Sequence, residues 1–414
     1  MIIYQALVRL FSTGRFSAFD KKTFDYLKSL SVSHLWLTGV IKHSQHATYV
    51  KGNAGSPYSI SDYYDINDYL ADNPSDRLKE FRLLLGRAHK NGIKVLLDFV
   101  PNHVSPDYHD SYGGLKTLGK HDYDWTDTDK IDYSDKNNWP KLLNIIKYWT
   151  EMGVDGFRCD MVELVPLDFW RYLIGNAKSL FPNLLFIGES YDKYSYSSYI
   201  DAGFDYLYDK SGLYDIIRAI LCHGASASLI TANWQFLGSL QGRMLNFLEN
   251  HDEQRLASDY FVGSSEKAYP ALAVSALFYP TPFMLYFGQE LGENAFDGAE
   301  GRTSIFDFAR HIRPFGKLDD KQKSVLERYR QVLSLKNEYE ECSNYELCYC
   351  QRDDLGFDKN RHFAFLRGSD LLIVCNFTSS VAEIELVIPI EAHSHFPSSL
   401  KVSIKPFDFT IIKK

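Results

Sequence analysis

Four short segments place carboxylates, imidazoles and a guanidinium where acid–base chemistry could be done on an uncharged substrate. They are Asp98-Phe-Val-Pro-Asn-His103, Gly156-Phe-Arg-Cys-Asp160, Ile187-Gly-Glu189 and Glu249-Asn-His-Asp252. Each closes an apolar run of the kind that forms a buried strand. Singly, none is diagnostic, because an acidic residue at the end of a strand often caps the next helix or turn. Together they carry more weight: carboxylates converging on one place repel, a cost that a chain optimised only for stability would avoid. Arg158 stands two residues before Asp160, so on a strand the two share a face and the guanidinium can hold Asp160 as the anion. One carboxyl kept ionised beside another kept protonated is the pairing needed to attack a carbon while protonating the oxygen that leaves it.

The elements that must position these residues can be read from the alternation of short apolar strands with amphipathic helices. Residues 75–100 show the pattern best. Ser75 or Asp76 is expected to cap a helix whose Leu78, Phe81, Leu84, Leu85 and Ala88 share one face, and Gly92 to close it. Residues 93–100 then run almost wholly apolar. Similar strands are expected at 3–8, 34–37, 156–158, 184–187, 205–208, 244–248 and 283–287, which makes eight. Eight strands alternating with helices predict a closed (β/α)₈ barrel of the TIM type, whose reactive residues gather at the C-terminal ends of the strands. All four segments sit at such ends.

A last long helix is expected at 319–338. Residues 104–134, rich in Asp, Gly, Tyr and His, keep neither period and are expected to form a short insertion over the barrel mouth after strand three. Beyond residue 343 the texture becomes short alternating strands, at 362–366, 370–376, 382–388 and 407–412, which predict an antiparallel β-sandwich domain. The expected division is therefore a barrel over 1–103 and 135–342, the insertion over 104–134 and a C-terminal β domain over 343–414.

Composition narrows the partners. With 45 basic against 53 acidic residues and a formal charge of −8, the chain offers no extended basic surface, so nucleic acid is not an expected partner. The 28 Tyr and 28 Phe suit a neutral, hydroxyl-rich ligand, although most aromatic residues simply pack. The six cysteines are unevenly spaced and Cys159 falls in a predicted buried strand, so disulfides are not expected. Cys348-Tyr-Cys350 has one residue between its thiols where zinc sites have two to four. No apolar run reaches the length of a membrane span, and no basic leader opens the sequence. A cytoplasmic protein is the expectation, or a secreted one if a leader has been removed. Asn376-Phe-Thr378 matches the glycosylation sequon but means nothing without a secretory route.

In their order and their placement at strand ends, the four segments resemble the motifs of the α-amylase family of retaining glycoside hydrolases. The resemblance extends along the whole chain, since the family also has an insertion after strand three and a C-terminal β domain. It implies that Asp160 is the nucleophile, Glu189 the general acid and base, and Asp252 the residue that steadies the distorted sugar. The first two carboxyls would stand roughly 5 to 5.5 Å apart, as double displacement with retention requires. Arg158, His103 and His251 would bind at the sugar being cleaved, Asp98 would hold the barrel mouth, and Tyr58 would stack on the same sugar. The implied substrates are α-1,4-linked glucans: starch, glycogen or maltooligosaccharides.

The sequence departs from the family in two places. Many α-amylases follow the nucleophile with a small residue and a Lys-His pair that contacts sugar on the leaving-group side. This chain has Asp160-Met-Val-Glu-Leu-Val-Pro166, with Glu163 and Leu164 near the place of that pair. Linkage preference is therefore open. The insertion is also short, and in the family it carries a calcium site. Asn102 matches a calcium ligand and acidic residues lie at 121–129, so calcium and a solvated acidic loop are both compatible with the sequence. The tyrosines of 191–199 could face sugar or pack on the helix below. A glycosyltransferase using the same covalent intermediate, and a noncatalytic carbohydrate-binding member, are the alternatives to hydrolysis.

Overall fold

Eight short runs of mostly apolar residues pair as parallel strands and close on themselves in the computed structural model, which describes residues 1–295, 298–342, 344–347 and 356–414. The strands are β1 (Ile2–Leu7), β2 (His34–Thr38), β3 (Lys94–Phe99), β4 (Gly156–Cys159), β5 (Leu185–Gly188), β6 (Tyr206–Tyr208), β7 (Met244–Phe247) and β8 (Phe283–Tyr286). Each neighbours the next in sequence, and β8 returns to β1 through Ile2 opposite Phe283. This is the expected (β/α)₈ barrel. β1, β2, β4, β7 and β8 are buried at every residue, as strands must be when helices cover one face and the barrel interior fills the other.

Register fixes where the reactive residues fall. Asp98 pairs with Arg158 across β3 and β4, and Cys159 with Gly188 across β4 and β5. The ladder continues one residue further on both strands: the Asp160 amide donates to the Phe99 carbonyl at 2.9 Å and the Glu189 amide to that of Cys159 at 3.0 Å. Backbone bonds to the neighbouring strand thus hold both residues. Gly188 allows the close approach this needs, since a Cβ there would stand 2.8 Å from Leu207 Cδ2.

The outer layer contains α1 (Lys21–Ser29), α2 (Arg77–Lys90), α3 (Asn138–Met152), α4 (Leu167–Leu180), α5 (Tyr196–Asp201), α6 (Asp215–His223), α7 (Ser228–Leu237), α8 (Tyr269–Ala273) and α9 (Asp320–Glu338). α2 buries Phe81, Leu84, Leu85 and Ala88 as its periodicity predicts. Its expected cap is different. Neither Ser75 nor Asp76 caps it by side chain, because Pro74–Asp76 forms a 3₁₀ turn first, and that turn is capped by Asn73, which accepts from the Ser75 amide. α9 begins one residue after the expected start, because Asp319 is its N-cap and completes a reciprocal capping box with Gln322.

Two ribbons rise over the C-terminal ends of the strands. One pairs Ile41–His43 with Ile60–Ile66, and the other, within the insertion, pairs His103–Val104 with Asp129–Lys130. The C-terminal region has β9 (Asn344–Leu347), β10 (His362–Arg367), β11 (Leu371–Asn376), β12 (Ala382–Val387), β13 (Ser399–Ile404) and β14 (Phe409–Lys413). They form a four-stranded antiparallel sheet, β9-β10-β11-β14, and a β12-β13 pair. One sheet face packs on the barrel layer, where Phe278 meets Phe363 and Phe365 edge-on. The other face forms a second small core with Ile384, Leu386 and Val402.

Cys348 and Cys350 lie outside the described residues, and Cys159, Cys222, Cys342 and Cys375 are free thiols. Asn376 is fully buried, its side-chain amide donating to the carbonyls of Ser380 and Lys405, which explains the sequon as structure. No helix among the described residues is long and apolar enough to cross a membrane. Asp319→Ala removes the α9 capping box and is expected to destabilise the fold by about 1 kcal/mol. The measurement is the midpoint of urea unfolding, which should fall with little change in slope.

Candidate active site

The sequence-predicted residues meet in and beneath one cavity of about 320 Å³ at the C-terminal mouth of the barrel. Asp160, Glu189, His251 and Asp252 line it, with His103 and Tyr58 beside them. Met161, Tyr191, Trp125 and Phe306 supply apolar wall. Lys51 and Asp127 reach the same cavity and pair at 3.3 Å. Arg158, which the resemblance placed at the sugar, and Asp98, which it placed at the barrel mouth, are not part of the lining; they stand 3.7 Å apart and support the residues that are.

Arg158 is the centre of the arrangement, with 1% of its side chain exposed. One terminal nitrogen, Nη1, binds Asp160 and lies 3.7 Å from Asp98 Oδ1; the other, Nη2, lies 2.7 Å from Glu189 Oε1. Nε donates to the Tyr208 hydroxyl at 3.2 Å. The guanidinium also stands 5.4 to 5.5 Å from the ring centres of Trp36, Tyr58 and Tyr208, within cation–π range. Burial pushes the carboxyls of Asp98, Asp160 and Glu189 up from their ordinary values, and Arg158 opposes that push at each. For Asp98 the balance comes to about 7. Asp160 has the direct bond to Arg158, so it is the carboxyl best held as an anion.

Glu189 is held from two loops. Its Oε2 accepts from the Met161 amide at 2.9 Å and its Oε1 from the Tyr191 hydroxyl at 2.7 Å. Met161 can present its amide this way because its backbone is left-handed, with φ 41° and ψ 55°. That conformation is costly for a residue with a Cβ and is often found beside reactive groups.

His251 is bound on both ring nitrogens. The Gln5 side-chain amide donates to Nδ1 at 2.8 Å and to Thr38 Oγ1 at 3.0 Å. This leaves the ring proton on Nε2, which faces the Tyr58 hydroxyl at 2.6 Å and Asp252 Oδ2 at 3.1 Å. Burial, reinforced by Arg158, pushes the His251 pKa down, and burial takes His103 down to about 4, so both act as neutral donors near pH 7. Tyr58 reaches the cavity, but its ring already stacks on His251, with centroids 5.0 Å apart. Its hydroxyl also donates to Asp98 at 3.2 Å. Asp252 is the most open of the group, with 40% of its side chain exposed.

Of the residues with which the sequence matched a calcium site, Asn102 has a buried side-chain oxygen without a partner, but the acids around it are committed elsewhere. Asn102 donates through its amide nitrogen to Asp122 Oδ2 at 3.0 Å, and the Lys130 ammonium lies 2.9 Å from both Asp122 oxygens. A cation is already covalently supplied. Asp127 is committed to Lys51 and Asp129 to Thr117 and the Lys120 amide, so these acids do not converge on the six to eight oxygens calcium requires. Among the described residues no group of three or more metal-ligating side chains is found.

Gln5, Thr38, Trp36 and Tyr208 belong to the site without having been singled out from sequence. Gln5 had a signal, as the one polar residue in Ile-Ile-Tyr-Gln-Ala-Leu. Trp36 and Tyr208 read as ordinary strand aromatics. Of the 191–199 tyrosines, Tyr191 lines the cavity while Tyr196 and Tyr199 are buried.

Parts of the chain are similar in sequence to known proteins, and the whole of it is similar in fold. Residues 21–141 match the family description "Alpha amylase, catalytic domain". The chain is 26% identical over 338 residues to Alpha-amylase 2 of Dictyoglomus thermophilum, covering 76% of this chain and 56% of that protein. It is 29% identical over 353 residues to Alpha-amylase MalA of Haloarcula japonica, covering 76% and 49%. The chain thus spans about half the length of these relatives. A solved α-amylase structure from Lactobacillus plantarum shares the fold, with TM-score 0.75 and 23% identity over 100% of this chain and 98% of the other.

Two outcomes follow from the site. Arg158→Met leaves buried carboxyls without their cation and is expected to cost about 3–5 kcal/mol at pH 8. Without Arg158 the folded-state carboxyl pKa values rise further above their unfolded values, so the folded state binds more protons and the deficit should shrink as pH falls. Urea unfolding at pH 5 and pH 8 measures it. Thermal unfolding is expected to give the same midpoint in EDTA and in millimolar calcium, and a calcium-dependent rise would overturn the assignment of Lys130 as the resident cation.

Proposed function

We propose that the chain, which is similar over residues 21–141 to α-amylase catalytic domains, is a retaining glycoside hydrolase of the α-amylase family cleaving α-1,4-glucosidic bonds in starch, glycogen or maltooligosaccharides. The observation that carries this reading is the single buried guanidinium gripping both Asp160 and Glu189 at the mouth of a barrel. Two carboxyls bound to the two terminal nitrogens of one guanidinium favour the short spacing of double displacement over the wider gap that admits a water for inversion.

In the first step Asp160, held ionised by Arg158, attacks the anomeric carbon while Glu189 gives its proton to the departing glucosidic oxygen. The C–O bond to the leaving sugar breaks as the bond to Asp160 forms. In the second step Glu189, now ionised, takes a proton from water, whose oxygen attacks the same carbon and releases Asp160. His251 Nε2 and His103 are uncharged donors suited to the sugar hydroxyls, where hydrogen bonds that strengthen in the transition state raise the rate. Asp252, open to the cavity, is placed to bind hydroxyls as the ring flattens.

Maltoheptaose with product analysis tests the reading. Wild-type protein should release shorter α-anomeric maltooligosaccharides, and Asp160→Asn should lose activity by roughly 10⁴-fold or more, as removal of a nucleophile does. Unchanged activity in Asp160→Asn would remove it from the mechanism. Longer products from maltotriose would instead assign the second step to a sugar hydroxyl.

A further inference from the structure

Near the place where many α-amylases carry a Lys-His pair after the nucleophile, this chain has Glu163, whose carboxylate faces the loop after β5. Glu163 Oε1 accepts from the Ser190 hydroxyl at 2.7 Å, from the Tyr191 amide at 2.8 Å and from the Asp192 amide. One oxygen of a residue in the β4 loop therefore collects three donors from the β5 loop. Two of those donors are backbone, so the bond fixes the path of the chain and not merely a side chain. The residue so fixed is Tyr191, whose hydroxyl donates to Glu189 Oε1 at 2.7 Å. A reverse connection runs from β4 to β5, the Val162 amide donating to the Glu189 carbonyl at 3.1 Å and the Met161 amide to Glu189 Oε2 at 2.9 Å.

We infer that Glu163 and Tyr191 are positioning residues for the general acid and base: Glu163 anchors the β5 loop so that the Tyr191 hydroxyl orients Glu189 and stabilises its ionised form. The inference rests on the reading of Glu189 as acid and base. Burial and the adjacent Glu189 carboxyl push the Tyr191 pKa up, so the phenol keeps its proton and acts only as a donor. The other groups facing Glu189 are Arg158 and Asp160 from β4, Asp252 after β7 and Tyr208 of β6. Asp160 and Asp252 disfavour the Glu189 anion when ionised, and Arg158 favours it. Tyr191 adds a neutral donor on the anion's side.

The sign of the effect follows. A donor to the carboxylate lowers its pKa, so removing the donor raises it. The alkaline limb of kcat/KM reports the free enzyme's general acid. In Tyr191→Phe that limb should move to higher pH by about 0.5 to 1 unit, the size of a lost hydrogen bond to a charged group after partial compensation. Glu163→Ala should move it in the same direction, because the loop no longer presents the phenol. Combined with Tyr191→Phe, Glu163→Ala should add no further shift, and Glu163→Gln, which keeps an acceptor oxygen, should restore much of the wild-type profile.

The experiment is the pH profile of these variants on maltoheptaose, together with ¹³C NMR titration of the Glu189 carboxyl, assigned through Glu189→Gln. The titration needs no turnover, so it reads the Tyr191 bond even if the wild type cleaves no glucan, an outcome that would count against the proposed activity alone. A Glu189 pKa and alkaline limb unmoved in Tyr191→Phe would overturn the inference. So would a Glu163→Ala variant that loses activity with its limb unshifted, which would mark Glu163 as a structural tie only.

Discussion

Everything at the barrel mouth depends on one buried cation. Arg158 is surrounded by Asp98, Asp160 and Glu189 on its polar edge and by Trp36, Tyr58 and Tyr208 around its ring-like plane. Burying a guanidinium costs several kcal/mol unless charge and hydrogen bonds replace the lost water. The same is true of each carboxyl, so neither side of the cluster is tolerable without the other. This reciprocity explains why the β3-β4-β5 register matters: Asp98 opposite Arg158, with Asp160 and Glu189 each one residue past a paired position, puts the charges together by backbone bonds before any side chain chooses a rotamer.

A second network leans on the first. Gln5 of β1 gives one amide proton to Thr38 and the other to His251, which decides the tautomer of the imidazole and turns its Nε2 proton toward Tyr58 and Asp252. Tyr58 then links His251 back to Asp98. Residues of β1, β2 and β3 and of the segment after β7 are thereby tied to the Arg158 cluster, so the cavity floor behaves as one hydrogen-bonded unit. Displacing any member would leave a buried donor or acceptor unpaired, which is the costlier side of hydrogen-bond energetics.

The fold was legible because it is written in a repeated local signal. Runs such as Lys-Val-Leu-Leu-Asp-Phe, apolar through the strand and acidic near its end, identify both the barrel and its functional face. The four reactive clusters came from the same signal, since they are what interrupts those runs. Support residues were hidden for the opposite reason. Trp36 and Tyr208 look like any strand aromatic, and only closure of the barrel turns their faces toward Arg158. Lys130 was hidden by chemistry: an acidic stretch reads as a cation site, but the cation that fills it comes from the antiparallel partner of His103. The helix cap at residue 75 or 76 failed because Pro74 favours a tight turn, which moved the capping role back to Asn73.

Glu189 faces conflicting requirements, and its surroundings can be understood as the compromise between them. In the proposed mechanism it must hold a proton for the first step and lack one for the second. Burial beside Asp160 and Asp252 alone would raise its pKa until it could not serve as a base near neutrality, whereas an unopposed salt bridge to Arg158 would leave it unable to serve as an acid. A group used in both directions works best with a pKa near the operating pH. Neutral donors are the finer adjustment, because each favours the anion without bringing a charge that would also capture Asp160. The Met161 amide and the Tyr191 hydroxyl are such donors, one supplied by a left-handed turn after the nucleophile and the other by a loop that Glu163 anchors. Glu163 thus places an acceptor where the β5 loop needs one, and so ties the shape of that side of the cavity to the protonation proposed for Glu189.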